Sequence, residues 1–245
     1  MRHLLALALL LPLTACGTGD DDDGATVTVL AAASLTESFT RLAEEFERQH
    51  DGTRVKLAFD SSATLAEQAL GGAAADVLAT ADTATMDGAA DALADDAQVF
   101  ATNTMVLVTP ADNPAGLTSF ADLGSGGVTY VVCVETAPCG KVAAAVLDDA
   151  DIGADPASLE VDVKSVLARV VSGEADAGLV YASDAVAGGE AVRTFEIPGA
   201  EAHVTSYPIA QLTQAADPDL AREFVDLVLS PAGRDVFADA GFGTP

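Results

Sequence analysis

The chain has 245 residues, enough for one large domain or two small ones with a substantial core. Half of the residues are hydrophobic, which is a globular rather than a disordered composition. The 38 acidic residues outnumber the 11 basic ones and give a net charge of −27, which disfavours nucleic acid and anionic membrane surfaces as partners.

The first 16 residues have the pattern of a bacterial lipoprotein signal peptide. Arg2 gives a polar start, residues 4–11 form an apolar run too short to span a membrane, and residues 13–16 resemble a lipobox. Cleavage there leaves Cys16 lipidated at the mature N-terminus, and the alternative is an ordinary secretory signal with a chance cysteine. We therefore expect a protein anchored by lipid to the outer face of the cell membrane, in an oxidising compartment.

The mature chain begins with a predicted tether and then alternates strands with helices. Residues 17–25 include four consecutive aspartates and predict a flexible, self-repelling segment. Beyond it, short apolar strands alternate with helical patterns, which indicates α/β layers with mostly parallel strands. The first strand, at residues 27–30, leads into a helix whose apolar face repeats at helical spacing through residue 46. Ser34 and Glu37 have the spacing of a capping box at the start of that helix.

The later elements follow in the same manner. Strands are predicted at residues 54–59, 75–80, 104–109, 128–134, 161–163, 177–181, 192–197 and 204–212. Helices are predicted at residues 65–70, 82–93, 141–149, 164–172 and 218–229, with a last helix starting at the Ser230-Pro231 cap. Phe237 and Phe242 are expected to pack this last helix and the tail.

Four of the predicted strand-to-helix turns share one chemical property. They lie at Ser34, at Ser62, at residues 139–140 and at residues 163–164. Each helix start offers free N–H groups and about half a positive charge, so four converging starts supply about +2. That charge complements a dianion without any Lys or Arg in contact with it. Lys164, in the last of these turns, is itself predicted to be a solvated helix residue.

The motifs in these turns resemble those of the molybdate-binding proteins that serve bacterial molybdate ABC importers as substrate-binding components. The resemblance covers residues 26–243 and is carried by five motifs in order, at residues 31–36, 59–65, 75–82, 178–185 and 230–242. It implies a type II periplasmic-binding-protein fold, in which two α/β lobes joined by two crossovers enclose a ligand cleft. The implied first lobe takes residues 26–104 and 206–245, and the second takes residues 105–205.

The same resemblance implies a set of ligand donors. Ser34 and Ser62 would donate from hydroxyl and N–H, Cys139 and Val163 from their backbone N–H groups, and Tyr181 from its phenol. This chain departs from the family pattern at Ala63, where a third hydroxyl is usual, and at Cys139, where alanine is usual. The implied ligand is molybdate or tungstate, bound without a cofactor and without any other metal. The implied partner is an ABC importer permease, and the protein is expected to be a monomer.

The two remaining cysteines are predicted to form a disulfide. With Cys16 lipidated, Cys133 and Cys139 are an even pair in an oxidising compartment, and Pro138 helps the chain turn back between them. The alternative is a pair of small buried thiols. A bridge here would hold the Cys139 N–H in place before a ligand arrives.

Three other functions stay open at this stage. A binder of another tetrahedral oxyanion, such as sulfate or phosphate, would use the same helix starts. A lipid-anchored serine hydrolase would need His50 or His203 as its base, but both are isolated and the chain has no nucleophile-elbow motif. A lipid-anchored adhesion protein would show no ligand-dependent rise in melting temperature.

Overall fold

The structure is a computed structural model that describes residues 24–245, and strands alternate with helices over most of this range. The strands are β1 Thr26–Ala32, β2 Arg54–Asp60, β3 Val77–Ala79, β4 Gln98–Asn103, β5 Met105–Pro110, β6 Tyr130–Cys133, β7 Ser158–Glu160, β8 Ala177–Tyr181, β9 Val192–Glu196 and β10 Thr205–Gln211. The helices are α1 Thr36–Gln49, α2 Ser62–Leu70, α3 Thr83–Gly88, α4 Pro138–Asp149, α5 Val163–Val171, α6 Ala182–Gly188, α7 Pro218–Leu229 and α8 Pro231–Asp239. The predicted signal peptide, Cys16 and most of the tether lie outside the described residues.

The strands form two mixed sheets of the same design. The first has the order β2-β1-β3-β10-β4, and the second has the order β7-β6-β8-β5-β9. In each sheet three neighbouring strands run parallel, and the other two join in antiparallel pairs. The chain passes to the second sheet between β4 and β5 and returns between β9 and β10. The two lobes that result confirm the predicted fold class.

The first lobe has an aromatic core under α1, α7 and α8. Phe39 of α1 lies at its centre, with ring centroids 5.9–6.2 Å from those of Phe100, Phe224 and Phe237. Phe237 and Phe242 pack together, as predicted, with centroids 5.7 Å apart. The predicted apolar face of α1 is fully buried on this side of the sheet. On the opposite side, α2 and α3 cover a smaller cluster that includes Leu65, Leu78 and Met86.

Two glycines let helices of the second lobe approach its sheet closely. A Cβ on Gly178 of β8 would lie 2.8 Å from methyl carbons of Val166 and Val170, so the glycine allows α5 to lie directly on the strand. A Cβ on Gly140 would lie 1.9 Å from the carbonyl oxygen of Val134, so only glycine lets α4 begin beside the end of β6. The first contact fixes the distance between α5 and the sheet, and the second places the start of α4 beside the end of β6.

One strand was not predicted, and three predictions about local structure were wrong. Strand β4 was missed because residues 98–103 lack a clean alternation of apolar and polar side chains. The strand predicted at residues 161–163 lies at residues 158–160, because Asp162 instead caps α5 by accepting a hydrogen bond from Ser165 N. Ser34 does not cap α1, which begins at Thr36 after a short 3₁₀ turn, and it makes no capping box with Glu37. Lys164 is only 23% exposed and lies in an ion pair between the lobes.

Candidate functional site

The facing edges of the two lobes enclose a small cavity, and all five predicted ligand donors line it. The other lining residues include the last residues of β1 and β2, the turns before α2 and α4, and Asp162 before α5. The first lobe contributes Ser34 and Ser62, and the second contributes Cys139, Val163 and Tyr181. The cavity has a volume of about 20 Å³, counted as space open to the centre of a water molecule. One water needs about 10–15 Å³ on that scale, so the space suits a compact ion and excludes a sugar, a peptide or a nucleotide.

Ser34 is held by a tyrosine from a distant part of the chain. Its Oγ lies 2.9 Å from the phenolic oxygen of Tyr207 on β10, and both side chains are buried. Either hydroxyl can be the donor in this bond. Burial raises the pKa of Tyr207 above its usual range, so the phenol keeps a proton that it can donate to Ser34 Oγ. In that arrangement the hydroxyl proton of Ser34 is free to point into the cavity. Tyr207 was missed by the sequence analysis, in which it was only one residue of a predicted strand.

Ser62 is held in a comparable way at the start of α2. Its Oγ accepts a hydrogen bond from the backbone N–H of Ala81 at 2.9 Å, in a buried position. Because that lone pair is occupied by a donor, the hydroxyl proton of Ser62 is available to an acceptor in the cavity. The two serines are therefore oriented by their own lobe to act as donors.

Tyr181 stands at the end of β8 and lines the same cavity. The side chain is buried, and its oxygen finds no hydrogen-bond partner in the part of the chain that the structure describes. Burial, assisted by Tyr207 and the charge of Asp184, raises the pKa of Tyr181 well above its usual value, so this hydroxyl also keeps its proton. A buried donor without an acceptor is costly, and an anion in the cavity would supply the acceptor.

Cys139 and Val163 bring helix starts to the cavity. Cys139 is the second residue of α4 and Val163 the first residue of α5, so their N–H groups belong to the turn that has no intrahelical acceptors. Both helix starts carry partial positive charge toward the cavity. No Lys or Arg occurs among the described residues that line it. Any attraction for a negative ion would therefore come from neutral N–H and O–H groups.

Two carboxylates also border the cavity, and the sequence analysis did not assign them. Asp60 Oδ1 accepts from Ser61 N at 2.6 Å, and Asp162 Oδ1 accepts from Ser165 N at 2.7 Å. Each carboxylate thus has one oxygen turned to a backbone N–H at a helix start, which disperses part of its charge. The sequence did carry a signal that Asp162 caps a helix, because an Asp is followed three residues later by Ser165 and an apolar helical stripe begins there.

The predicted disulfide is present. Cys133 ends β6 and Cys139 lies in the first turn of α4, with Cα atoms 5.7 Å apart. The bridge therefore ties the strand end to a residue of the first helical turn that lines the cavity.

The two candidate bases for hydrolysis lie elsewhere. His50 Nε2 is 2.8 Å from a Glu223 oxygen and its ring stacks on Phe46, and His203 Nε2 is 2.7 Å from an Asp149 oxygen. Neither histidine is among the residues that line the cavity.

Among residues 24–245, no group of three or more His, Cys, Asp or Glu side chains is placed to hold a metal ion. None of the helices described between residues 24 and 245 is long and apolar enough to cross a membrane.

Two α/β lobes with an ion-sized cavity between them define a periplasmic binding protein. The chain belongs to the bacterial extracellular solute-binding proteins, whose family model matches residues 27–243. It is 42% identical over 243 residues to the molybdate-binding protein ModA of Mycobacterium tuberculosis (strain ATCC 25618 / H37Rv), covering 95% of this chain and 93% of the relative. It is 34% identical over 232 residues to ModA of Escherichia coli (strain K12), covering 88% of each chain.

A solved structure supports the same fold. The periplasmic molybdate-binding protein of Azotobacter vinelandii superposes with a TM-score of 0.79 at 19% identity, over 89% of this chain and 99% of the other. At that identity the likeness concerns the fold alone. Membership in a family of solute-binding proteins agrees with a cavity lined by hydrogen-bond donors.

Proposed function

We propose that this protein captures molybdate or tungstate outside the cytoplasm and delivers it to the permease of an ABC importer. The observation that carries the proposal is the convergence of three protonated hydroxyls and two helix starts on a cavity sized for one compact ion. The names of the relatives that are 42% and 34% identical support molybdate as the ligand. In this role the protein needs no cofactor and is not an enzyme, because binding and release leave the oxyanion chemically unchanged.

The donor set argues for a fully deprotonated dianion. Three hydroxyls and two backbone N–H groups can each donate to an oxygen, and a fully deprotonated tetrahedral dianion such as molybdate carries only acceptors. Hydrogen phosphate carries a proton of its own and needs an acceptor in the site. The bordering carboxylates of Asp60 and Asp162 are possible acceptors, so phosphate is the second candidate that a specific observation favours.

The proposal includes attachment to the membrane through lipid on Cys16. The lipobox at residues 13–16 and the acidic tether that follows support it. A Cys16→Ala variant should appear in the culture medium instead of the membrane fraction, and retention of this variant in the membrane fraction would contradict the anchor. The protein is proposed to act as a monomer, without contact with nucleic acid.

A panel of oxyanions tests the ligand. The purified mature protein should show a strong rise in melting temperature with molybdate and with tungstate, because a ligand at 100 times its Kd adds about 2.7 kcal/mol to the free energy of unfolding. Sulfate and phosphate at equal concentration should give smaller shifts. Equal shifts with phosphate would favour the second candidate, and no shift with any oxyanion would refute oxyanion binding.

A further inference from the structure

An ion pair between the lobes lies behind the cavity. The sequence contains only three lysines, at positions 56, 141 and 164. The Lys164 ammonium on α5 of the second lobe lies 2.8 and 2.7 Å from the two carboxylate oxygens of Glu37 on α1 of the first lobe. It also lies 3.3 Å from Asp184 Oδ1 on α6, within ion-pair distance but without hydrogen-bond geometry.

Each member of this group is coupled to one of the proposed ligand donors. Lys164 directly follows Val163, the first residue of α5. Glu37 lies one turn beyond Ser34. Asp184 accepts a hydrogen bond from the backbone N–H of Tyr181 at 3.3 Å. One ammonium group thus connects the backbone segments that carry donors from both lobes.

We propose that Lys164, paired with Glu37 and Asp184, is a positioning residue that clamps the two lobes together around the bound oxyanion. This inference rests on the proposed function. Lys164 does not line the cavity, so it acts through the segments that it joins rather than by touching the ligand. Its ion pair with Glu37 is available only when the lobes are together, because the two residues belong to different lobes.

The burial of the partners indicates how much the clamp contributes. Glu37 is half exposed, and an ion pair with such a residue alone contributes little. Asp184, however, is fully buried, and removing the cation beside a buried carboxylate is far more costly. Loss of Lys164 would also leave this negative charge close to Tyr181 and the cavity without compensation. We therefore expect the lysine to matter more than the glutamate.

The test uses Lys164→Met in the mature protein, with Lys56→Met on β2 of the first lobe as the matched control. Lys56 is exposed, and its replacement changes the net charge by the same amount. By calorimetry, Lys164→Met should raise the Kd for molybdate about tenfold, whereas Lys56→Met should leave it within twofold. The loss should appear as faster release of molybdate into excess tungstate, with an unchanged association rate.

Two further variants distinguish a clamp from a general defect. Lys164→Arg keeps the charge and should recover most of the affinity. Glu37→Gln should give a smaller loss, and combining it with Lys164→Met should add nothing to the loss from Lys164→Met alone. Ligand-bound Lys164→Met should have a larger radius of gyration in solution scattering than bound wild type.

Three results would each overturn the clamp. Wild type and Lys164→Met would bind molybdate equally well, Lys164→Met and Lys56→Met would lose the same affinity, or the losses from Glu37→Gln and Lys164→Met would add. In those cases a wild-type protein that still binds molybdate leaves the proposed function intact. A wild type that does not respond to molybdate would overturn the proposed function, and the clamp with it.

Discussion

The two lobes have sheets of the same order but prepare their donors differently. In the first lobe, the hydroxyls of Ser34 and Ser62 already have partners within that lobe, namely the phenol of Tyr207 and the N–H of Ala81. In the second lobe, the hydroxyl of Tyr181 has no partner among the described residues. The first lobe therefore holds its two serine hydroxyls in place through partners of its own, and the second holds a buried hydroxyl that an anion in the cavity would satisfy.

The buried aspartates of the two lobes also differ in how their oxygens are satisfied. Asp76 in the first lobe accepts from Thr28 N and from Ala216 N, each at 2.6 Å, so both of its oxygens are satisfied by backbone. Asp184 in the second lobe accepts one longer hydrogen bond, from Tyr181 N, and its negative charge is balanced by Lys164. The comparison indicates a first lobe whose buried aspartate is satisfied by backbone donors and a second lobe whose buried aspartate relies on a lysine that also pairs with Glu37 across the cleft.

The largest effect that tests this comparison is expected from the two serines. Replacing both Ser34 and Ser62 by Ala should weaken molybdate binding by about 3 kcal/mol or more, since each hydrogen bond to a charged group contributes roughly 1.5–3 kcal/mol. Calorimetry measures the loss. Ser38→Ala is the matched control, because Ser38 is a buried serine of α1 that does not line the cavity. A double variant that binds as tightly as Ser38→Ala would contradict the assignment.

The next effect concerns the pH dependence of stability. Burial raises the pKa of Asp184 to about 6, partly offset by Lys164, above the value of about 3.9 expected in the unfolded chain. The folded state therefore binds more protons than the unfolded state between these values, and stability falls as pH rises through the window. A pKa difference of about two units, at about 1.4 kcal/mol per unit, lowers the free energy of unfolding by about 3 kcal/mol across the whole window.

Asp184→Asn removes this titration. The free energy of unfolding of wild type minus that of the variant should fall by about 3 kcal/mol from pH 3 to pH 7. Urea unfolding of both proteins at several pH values measures it. Asp76→Asn serves as the comparison from the first lobe. A difference between wild type and Asp184→Asn that stays constant with pH would show that Asp184 titrates normally in the folded protein.

A smaller effect is expected from the disulfide of the second lobe. In the chain-entropy model, a bridge between Cys133 and Cys139 contributes about 2 kcal/mol to the free energy of unfolding. Replacing both cysteines by Ala should lower stability by about that amount and weaken molybdate binding, because the Cys139 N–H loses its tie to β6. The protein should stay folded. Urea unfolding and calorimetry measure the two effects, and unchanged affinity would show that the bridge serves stability alone.

The sequence predicted those features that depend on local pattern. The apolar face of α1, strand β8, helix α7 and the cap at Ser230 all follow from periodicity or from cap and proline signals within a few residues. The strand-to-helix turns of the proposed site were found for the same reason. The partner of Ser34 lies 173 residues away and that of Lys164 lies 127 residues away, so no local pattern reports them. The capping box failed because Ser34 and Glu37 each bind a distant partner instead.

The smallest effect is expected from Tyr181, and the reason lies in its lack of a partner. Replacing Ser34 by Ala removes a proposed ligand donor and also the buried hydrogen-bond partner of the Tyr207 phenol. Tyr181→Phe removes only the proposed donor to the ligand, because no described group bonds to that hydroxyl. We expect the Kd for molybdate to rise about tenfold, equivalent to about 1.4 kcal/mol, a smaller loss than for either serine.

The stability of the ligand-free protein separates the two kinds of tyrosine. Tyr130→Phe is the matched control, since Tyr130 is also buried in the second lobe but donates to the carbonyl of Ala154. This control should lose about 1 kcal/mol of stability with unchanged affinity, whereas Tyr181→Phe should lose affinity without losing stability. If Tyr181→Phe instead binds molybdate more weakly than Ser34→Ala and Ser62→Ala do, the second lobe holds the dominant donor and the comparison of the lobes is reversed.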